Sequence, residues 1–298
     1  MQYCIPGLKT RIKTMSNLKL GWAGLGNMGN PMVSNLLKVG FPVTVYNRTR
    51  EKEKEVVEAG ATSAASLQQM AIDNDMVLVM VSDDNAAKEI FTGDNGLLSG
   101  EVSGKLFINV STVSPETSKI LEQACQKQGA QFLEAPVSGS VKPAQDRMLI
   151  ILVGGKEENY QKAKPVFDAL GKLSMLVGPV GAGSAAKLAI NYFLGVTLQG
   201  LAETVLFAQA NGVKVEDMLT IVNEGACGSG ITKTKSPAIQ KEEFPAAFAL
   251  KHLTKDLRLA KEQGIQTPLS TPIYDSFKQA QDKGLGDQDV MAIYSFLK

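Results

Sequence analysis

Between Leu18 and Val180 seven short β-rich runs alternate with helical stretches, and beyond Gly183 no further run of that kind occurs. Such alternation predicts a parallel α/β sheet, because each helix carries the chain back to start the next strand in the same direction. The intervening segments 30–39 and 51–58 have helical periodicity, and each is followed by a glycine, Gly40 or Gly60, suited to a left-handed helix end. From 184 to 211 Ala, Leu, Val and Phe recur at helical spacing, and further helices are expected over 215–224, 250–263 and 272–283. The expected organisation is a leader over 1–17, a Rossmann-type α/β domain over 18–180 and an all-helical domain over 181–298, joined by a long interdomain helix.

Charge and composition narrow the partners. Lys and Arg total 31 against 30 Asp and Glu, so there is no electrostatic basis for binding nucleic acid or an anionic membrane surface. A small molecule is expected instead. Cys4, Cys125 and Cys227 lack CxxC spacing, and the chain has one histidine, His252, so no ordinary zinc site is expected. Free thiols fit a reducing compartment, here the cytoplasm. No uninterrupted apolar run approaches the roughly 20 residues that span a bilayer, and a soluble protein is expected. Residues 1–17 carry Lys9, Arg11 and Lys13 and no acid. They read as a disordered leader ahead of a start at Met15, with a mitochondrial or plastid targeting segment as the alternative.

The first run is followed at once by GLGNMG, which places Gly24, Gly26 and Gly29 in GxGxxG spacing between a strand and a helix. The first glycine permits a tight turn, the second lets a pyrophosphate approach the backbone, and the third lets helix and strand pack closely. Leu25, Asn27 and Met28 complete a loop whose N–H groups, at a helix start, can face phosphate oxygens. At the end of the second strand, where an NAD site usually carries Asp or Glu, stand Asn47, Arg48 and Thr49. A guanidinium and a hydroxyl would hold a 2′-phosphate that an acid would repel. The expected cofactor is NADP(H).

Nicotinamide chemistry moves a hydride, and the accompanying proton needs a general acid or base. Lys187 and His252 are the candidates, and Lys187 is preferred. It follows two closely spaced glycines near a helix start, beside Ala185, Ala186 and Ala189, where burial disfavours the ammonium form and the positive helix end acts in the same sense. Asn191 lies four residues on and shares its face. Read from the residues alone, a snorkelling lysine remains an open alternative.

Four blocks, GLGNMG, NVSTVSP at 109–115, EAPVSGS at 134–140 and GAGSAAKLAIN at 181–191, followed by KDLRLA at 255–260, resemble in order and spacing the β-hydroxyacid dehydrogenases. That group includes 3-hydroxyisobutyrate dehydrogenase, tartronate semialdehyde reductase and the glyoxylate/succinic semialdehyde reductases, and the resemblance runs from about Lys19 to the C-terminus. It implies Lys187 as catalytic acid/base and Asn191 as a substrate-orienting residue. Ser138 and Gly139 match the substrate-binding loop, Thr112 a residue near nicotinamide and substrate, and Lys255 a lysine close to the cofactor. Ser82, within SDD at 82–84, and Phe248 match the glyoxylate/succinic semialdehyde reductase subgroup and would border the cofactor and substrate, Val81 would adjoin the cofactor, and His252 would be pocket wall or scaffold. Two departures are Asn109, often Asp in the family, and Arg147, often glycine. Keeping the lysine that related imine reductases replace argues against imine reduction.

The activity implied is NADP-dependent interconversion of small β-hydroxy acids and their semialdehydes, favoured as glyoxylate or succinic semialdehyde reduction. The alternatives are 3-hydroxyisobutyrate or tartronate semialdehyde chemistry and a catalytically silent binding or oligomerisation module, as in a nuclear protein that carries a dehydrogenase-like domain. A homodimer or homotetramer is expected.

Overall fold

The computed structural model describes residues 18–298, so the expected leader, with Cys4 and Met15, lies outside the described residues. Among the described residues nine strands form one sheet: β1 (Leu20–Ala23), β2 (Val43–Tyr46), β3 (Thr62–Ser63), β4 (Met76–Val79), β5 (Leu106–Asn109), β6 (Gln131–Glu134), β7 (Val137–Ser138), β8 (Leu149–Gly155) and β9 (Gly171–Gly178). The order β3-β2-β1-β4-β5-β6 is parallel throughout and is that of a dinucleotide-binding Rossmann sheet. β1, β4 and β5 are buried along their whole length, which is why they read as continuous apolar runs instead of alternating ones.

The sheet is not parallel to its end. β8 runs antiparallel to both β6 and β7, and β9 pairs parallel with β8. The cause is connection length. Residues 139–148, which hold only the short helix Val141–Gln145, fall below the dozen or more residues that a parallel crossover needs.

Arg147 sits just before β8 with φ +59, a left-handed conformation that favours glycine. Its guanidinium donates to the carbonyls of Ala169 and Asp168 at 3.0 and 3.1 Å. Arg147 therefore ties β8 to the end of the helix Glu157–Leu170, a structural use of the charge.

The chain divides into two compact units, the first ending at Lys187 and the second spanning Leu188–Lys298. The division falls inside the helix Ala182–Ala210, 29 residues long. In the second unit that helix contributes Leu198, Leu201, Ala202 and Val205 to a core shared with Leu250, Leu253, Leu257, Ile273, Phe277 and Tyr294. Contrary to the sequence expectation, its length and mean hydropathy of 1.2 are sufficient for a membrane span. Its core contacts account for part of that apolar character, since 39% of the apolar stretch is buried and Phe193 and Phe207 stay exposed.

In the second unit the short helix Ile293–Leu297 and the longer Gly230–Lys241 both fall outside the expected helices. Gly230–Lys241 is built from Thr, Ser, Lys and an internal Pro237, without a clean apolar stripe. It is set instead by a capping box, in which Ser229 and Thr232 each bond the other's backbone N–H, and by a buried ion pair between Lys235 and Asp289 at 2.6 Å.

In the first unit Phe91 is fully buried and meets Phe107 and Phe132 edge-on, each at 6.0 Å between centroids. Because three large side chains share that one contact, Phe91→Ala is expected to destabilise the unit by about 3–5 kcal/mol. Urea unfolding measures it, and a loss below about 1 kcal/mol would contradict this packing.

Candidate active site

The loop after β1 closes on glycine geometry. Gly24 has φ +100, and a Cβ there would stand 2.0 Å from the Met80 carbonyl oxygen, while one at Gly29 would stand 2.1 Å from the Gly24 carbonyl oxygen. Neither position tolerates a side chain. The Trp22 indole N–H donates to that same Gly24 carbonyl at 2.9 Å, bracing the turn from below. Gly26 differs, for it is exposed and a Cβ there would meet nothing within 4 Å. The open side of Gly26, at the start of the helix Gly29–Lys38, is the cradle that a pyrophosphate against bare backbone requires. The residues present therefore fit a dinucleotide. Asn27 is exposed and Met28 half-buried in the same turn.

Asn47, expected to touch the cofactor, is occupied with the loop itself. Its Oδ1 accepts the Leu25 N–H at 2.8 Å and its Nδ2 donates to the Thr49 carbonyl at 2.7 Å. The nearby acid Glu53 is buried and consumed internally: it accepts the Asn47 N–H and pairs with the Arg50 guanidinium and the Ser63 hydroxyl. Arg50 in turn lies over the Tyr46 ring at 4.5 Å and donates to the carbonyls of Ala64 and Ala65. Arg48 and Thr49 are exposed, and the Arg48 guanidinium forms no ion pair among the described residues. Of the two arginines, then, Arg50 is structural and Arg48 is the one available to an anion. A hollow of about 520 Å³ beside Arg50, Lys54 and Val57 is lined by none of the expected site residues.

At the ends of β4 and β5, Ser111 takes the Val81 N–H on its hydroxyl at 2.9 Å, and Asp84 takes the N–H and hydroxyl of Ser114 at 3.0 and 2.6 Å. These bonds hold the segments bearing Val81, Ser82 and Thr112 side by side. Ser82 is exposed with its hydroxyl on Asp83 at 2.7 Å, and Thr112 is half-buried. The cap of the helix Pro115–Lys127 is Ser114, whose hydroxyl accepts the Thr117 N–H, so Thr112 is not used as a cap. Asn109 is fully buried, with its Oδ1 on the Ser111 N–H at 3.2 Å. Ser138 is half-buried on β7, and Gly139 beside it is exposed with φ +136, where a Cβ would press to 2.8 Å from Leu149.

Lys187 and Asn191 lie one turn apart on the helix Ala182–Ala210 and are both buried, at 6% and 3% exposure. A snorkelling lysine, the open alternative, would leave its head in water. The positive end of that helix was expected to act on Lys187, and Glu134, the last residue of β6, presents its carboxylate to the Gly181 and Gly183 N–H groups at that end.

In the second unit, buried Asp256 gathers two expected residues. Its Oδ2 accepts the Asn191 amide at 2.5 Å and its Oδ1 pairs with the Lys255 ammonium at 2.9 Å. Neither Glu134 nor Asp256 was singled out from sequence, although both stand inside the quoted motifs EAPVSGS and KDLRLA. Phe248 stacks on His252 at 6.4 Å, and Asp289 takes the N–H groups of Ala247 and Phe248 at 3.1 and 3.2 Å. The buried pair Lys235–Asp289 thus holds the strand of chain that presents Phe248.

Two family models cover the chain: the NAD-binding domain of 6-phosphogluconate dehydrogenase over residues 19–181, and the NAD-binding domain of NADP-dependent 3-hydroxyisobutyrate dehydrogenase over residues 181–297. Glyoxylate/succinic semialdehyde reductase 1 of Arabidopsis thaliana is 39% identical over 94% of this chain and 99% of its own length. The chloroplastic reductase 2 of the same plant is 36% identical over 100% of this chain and 84% of its own length. The solved 3-hydroxyisobutyrate dehydrogenase of Mycobacterium tuberculosis with L-serine matches with a TM-score of 0.86 at 25% identity, over 94% of this chain and 99% of that one.

Burial, reinforced by Lys255 and Lys251 and opposed by Asp256 and Asp287, holds the His252 imidazole below its ordinary pKa. The unfolded chain therefore takes up a proton near pH 6.5 that the folded chain takes up only at lower pH, and stability falls as pH drops through that window. Urea unfolding between about pH 7 and pH 5 should show a shallower loss for His252→Gln than for the wild type. Identical slopes would contradict the burial of this ring.

Proposed function

We propose, from the premise that this chain belongs to the β-hydroxyacid dehydrogenase family, that it is an NADPH-dependent reductase of small aldehydes bearing a carboxylate, with glyoxylate and succinic semialdehyde favoured. The observation that carries the reading is a buried lysine with a buried asparagine one turn later, in a chain whose glycine loop leaves one side of Gly26 open. The likeness to two plant reductases over nearly the whole chain supports the substrate class. A second reading, oxidation of 3-hydroxyisobutyrate, is supported by the family model over 181–297.

NADPH, when bound, supplies the hydride that reduces the carbonyl carbon. Gly24, Leu25, Gly26, Asn27, Met28 and Gly29 would hold its pyrophosphate. Arg48 and Thr49 would hold the 2′-phosphate, with Asn47 keeping the loop in place. Val81, Ser82, Thr112, Phe248 and Lys255 would border the ring-bearing parts. Lys187 gives its ammonium proton to the carbonyl oxygen as the alcohol forms, becomes neutral, and regains a proton from solvent. Asn191, fixed by Asp256, orients the substrate oxygen, while the Ser138 hydroxyl and Gly139 N–H take the carboxylate.

A homo-oligomer is part of the proposal, supported by Phe193 and Phe207, 64% and 72% exposed along the helix Ala182–Ala210. The proposed compartment is the cytoplasm, or a plastid or mitochondrion should residues 1–17 direct import.

Lys187→Ala is expected to lower kcat with glyoxylate by about 100-fold or more while leaving the Kd for NADPH within about threefold. Steady-state kinetics and fluorescence titration check it, and retained turnover would remove Lys187 from the role. Arg48→Ala should weaken NADPH by about tenfold or more without changing NADH affinity. An unchanged preference would contradict the assignment of the 2′-phosphate site.

A further inference from the structure

The side chain of Glu134 is fully buried at the start of the helix that carries Lys187. Its Oε1 accepts the N–H groups of Gly181 and Gly183 at 2.6 and 2.8 Å, and its Oε2 accepts the Ser184 hydroxyl at 2.6 Å. The Ser184 oxygen lies 3.0 Å from that of Ser118 on the helix Pro115–Lys127. Because Ser184 spends its proton on Glu134, Ser118 is the donor in that contact. Three donors thus converge on one carboxylate, and two of them are main-chain groups that a helix start leaves without partners.

The space around the carboxylate is cut to its shape by glycines. A Cβ at Gly154 would stand 2.2 Å from Oε1, and one at Gly183 would stand 2.5 Å from the Leu152 carbonyl oxygen and 3.2 Å from Oε1. An ordinary cap comes from the residue just before the helix. This one comes from the end of a central strand, 47 residues away in sequence from Gly181. The first turn of the helix is therefore registered against the sheet, and not merely satisfied.

We propose that Glu134 is the positioning residue for Lys187, an inference that rests on the reading of Lys187 as proton donor. Lys187 follows Ser184 by three residues, about 4.5 Å along the helix axis at a fixed rotation about it. Fixing Gly181, Gly183 and Ser184 against β6 fixes both the height and the rotation of the lysine stem. Loss of the carboxylate leaves two buried N–H groups unmet, so the first turn loosens and the ammonium loses its aim at the carbonyl oxygen. Glu134 touches neither cofactor nor substrate in this scheme.

Glu134→Gln keeps an amide oxygen for both N–H groups and can donate to the Ser184 oxygen, whereas Glu134→Ala keeps nothing. The test compares these two variants, Ser184→Ala and Lys187→Ala in the full chain, with NADPH and glyoxylate, reading kcat, the Kd for NADPH and the solvent deuterium isotope effect on kcat. The expected result is a fall in kcat of about 100-fold for Glu134→Ala with NADPH affinity within about threefold, a larger isotope effect, and Glu134→Gln within about tenfold of wild type. Should Glu134→Ala not fold, Ser184→Ala decides, with a lowered kcat and a raised isotope effect supporting the proposal and unchanged values overturning it. Folded Glu134→Ala with wild-type kcat overturns it, as does a parallel loss of kcat and NADPH affinity that Glu134→Gln fails to restore. Turnover retained by Lys187→Ala would instead sink the reading of the lysine itself.

Discussion

The backbone contact of Gly24 with Met80 and of Gly29 with Gly24 is the constraint on which the first unit depends. A side chain at either glycine would overlap a carbonyl oxygen by more than 1 Å of normal separation, so the chain can leave β1, turn and enter the next helix only with bare backbone there. That close approach seats β1 between β2 and β4 at the centre of the sheet and leaves the Gly26 side of the turn open. The same geometry that packs the sheet also makes the place where a pyrophosphate meets N–H groups at a helix start. Asn47 then fastens the turn to the end of β2 from the side, through the Leu25 N–H.

The helix Ala182–Ala210 is fastened at two points with the same chemistry. Near its start a buried carboxylate, Glu134, takes two main-chain N–H groups and a hydroxyl. Two turns along, a second buried carboxylate, Asp256, takes the Asn191 amide and pairs with Lys255. Glu134 has a donor on each oxygen, and Asp256 has the Asn191 amide on one oxygen and the Lys255 ammonium as the ion-pair partner of the other, as buried charges require partners. Lys187, the proposed proton donor, lies on that helix between the two fastenings. Placement errors of about 1 Å cost rates heavily, so under the proposed role of Lys187 such fastening would serve catalysis as well as stability.

Much of this was legible in the sequence because it is written in local spacing. The glycine triad, the glycine-terminated helices and the four-residue step from Lys187 to Asn191 are short-range patterns, and the structure shows them as a turn, helix ends and a shared face. What escaped is long-range. Glu134 reads as a polar residue ending a strand until Gly154, Gly181 and Gly183 are seen around it. Asp256 looks like a solvated helix charge until Asn191 arrives from another element. The helix Gly230–Lys241 has weak formers and depends on Lys235 meeting Asp289, a partner 54 residues on. The reversal at β8 follows from connection length, a cue that strand-by-strand reading passes over. Arg147, noted in the sequence only as a departure from a family glycine, holds a left-handed conformation with two carbonyl contacts, a backbone demand that residue type alone does not reveal.

The proposed reaction passes a hydride from NADPH to a small aldehyde that carries a carboxylate. The most direct measurement is the rate at which the purified full chain consumes NADPH, followed by its near-ultraviolet absorbance. Glyoxylate, succinic semialdehyde, methylmalonate semialdehyde and tartronate semialdehyde would be offered in turn, with NADH as the paired control. Oxidation is expected with at least one of the four, fastest with glyoxylate or succinic semialdehyde and slower with NADH. No oxidation above the aldehyde-free rate with any of them would contradict it.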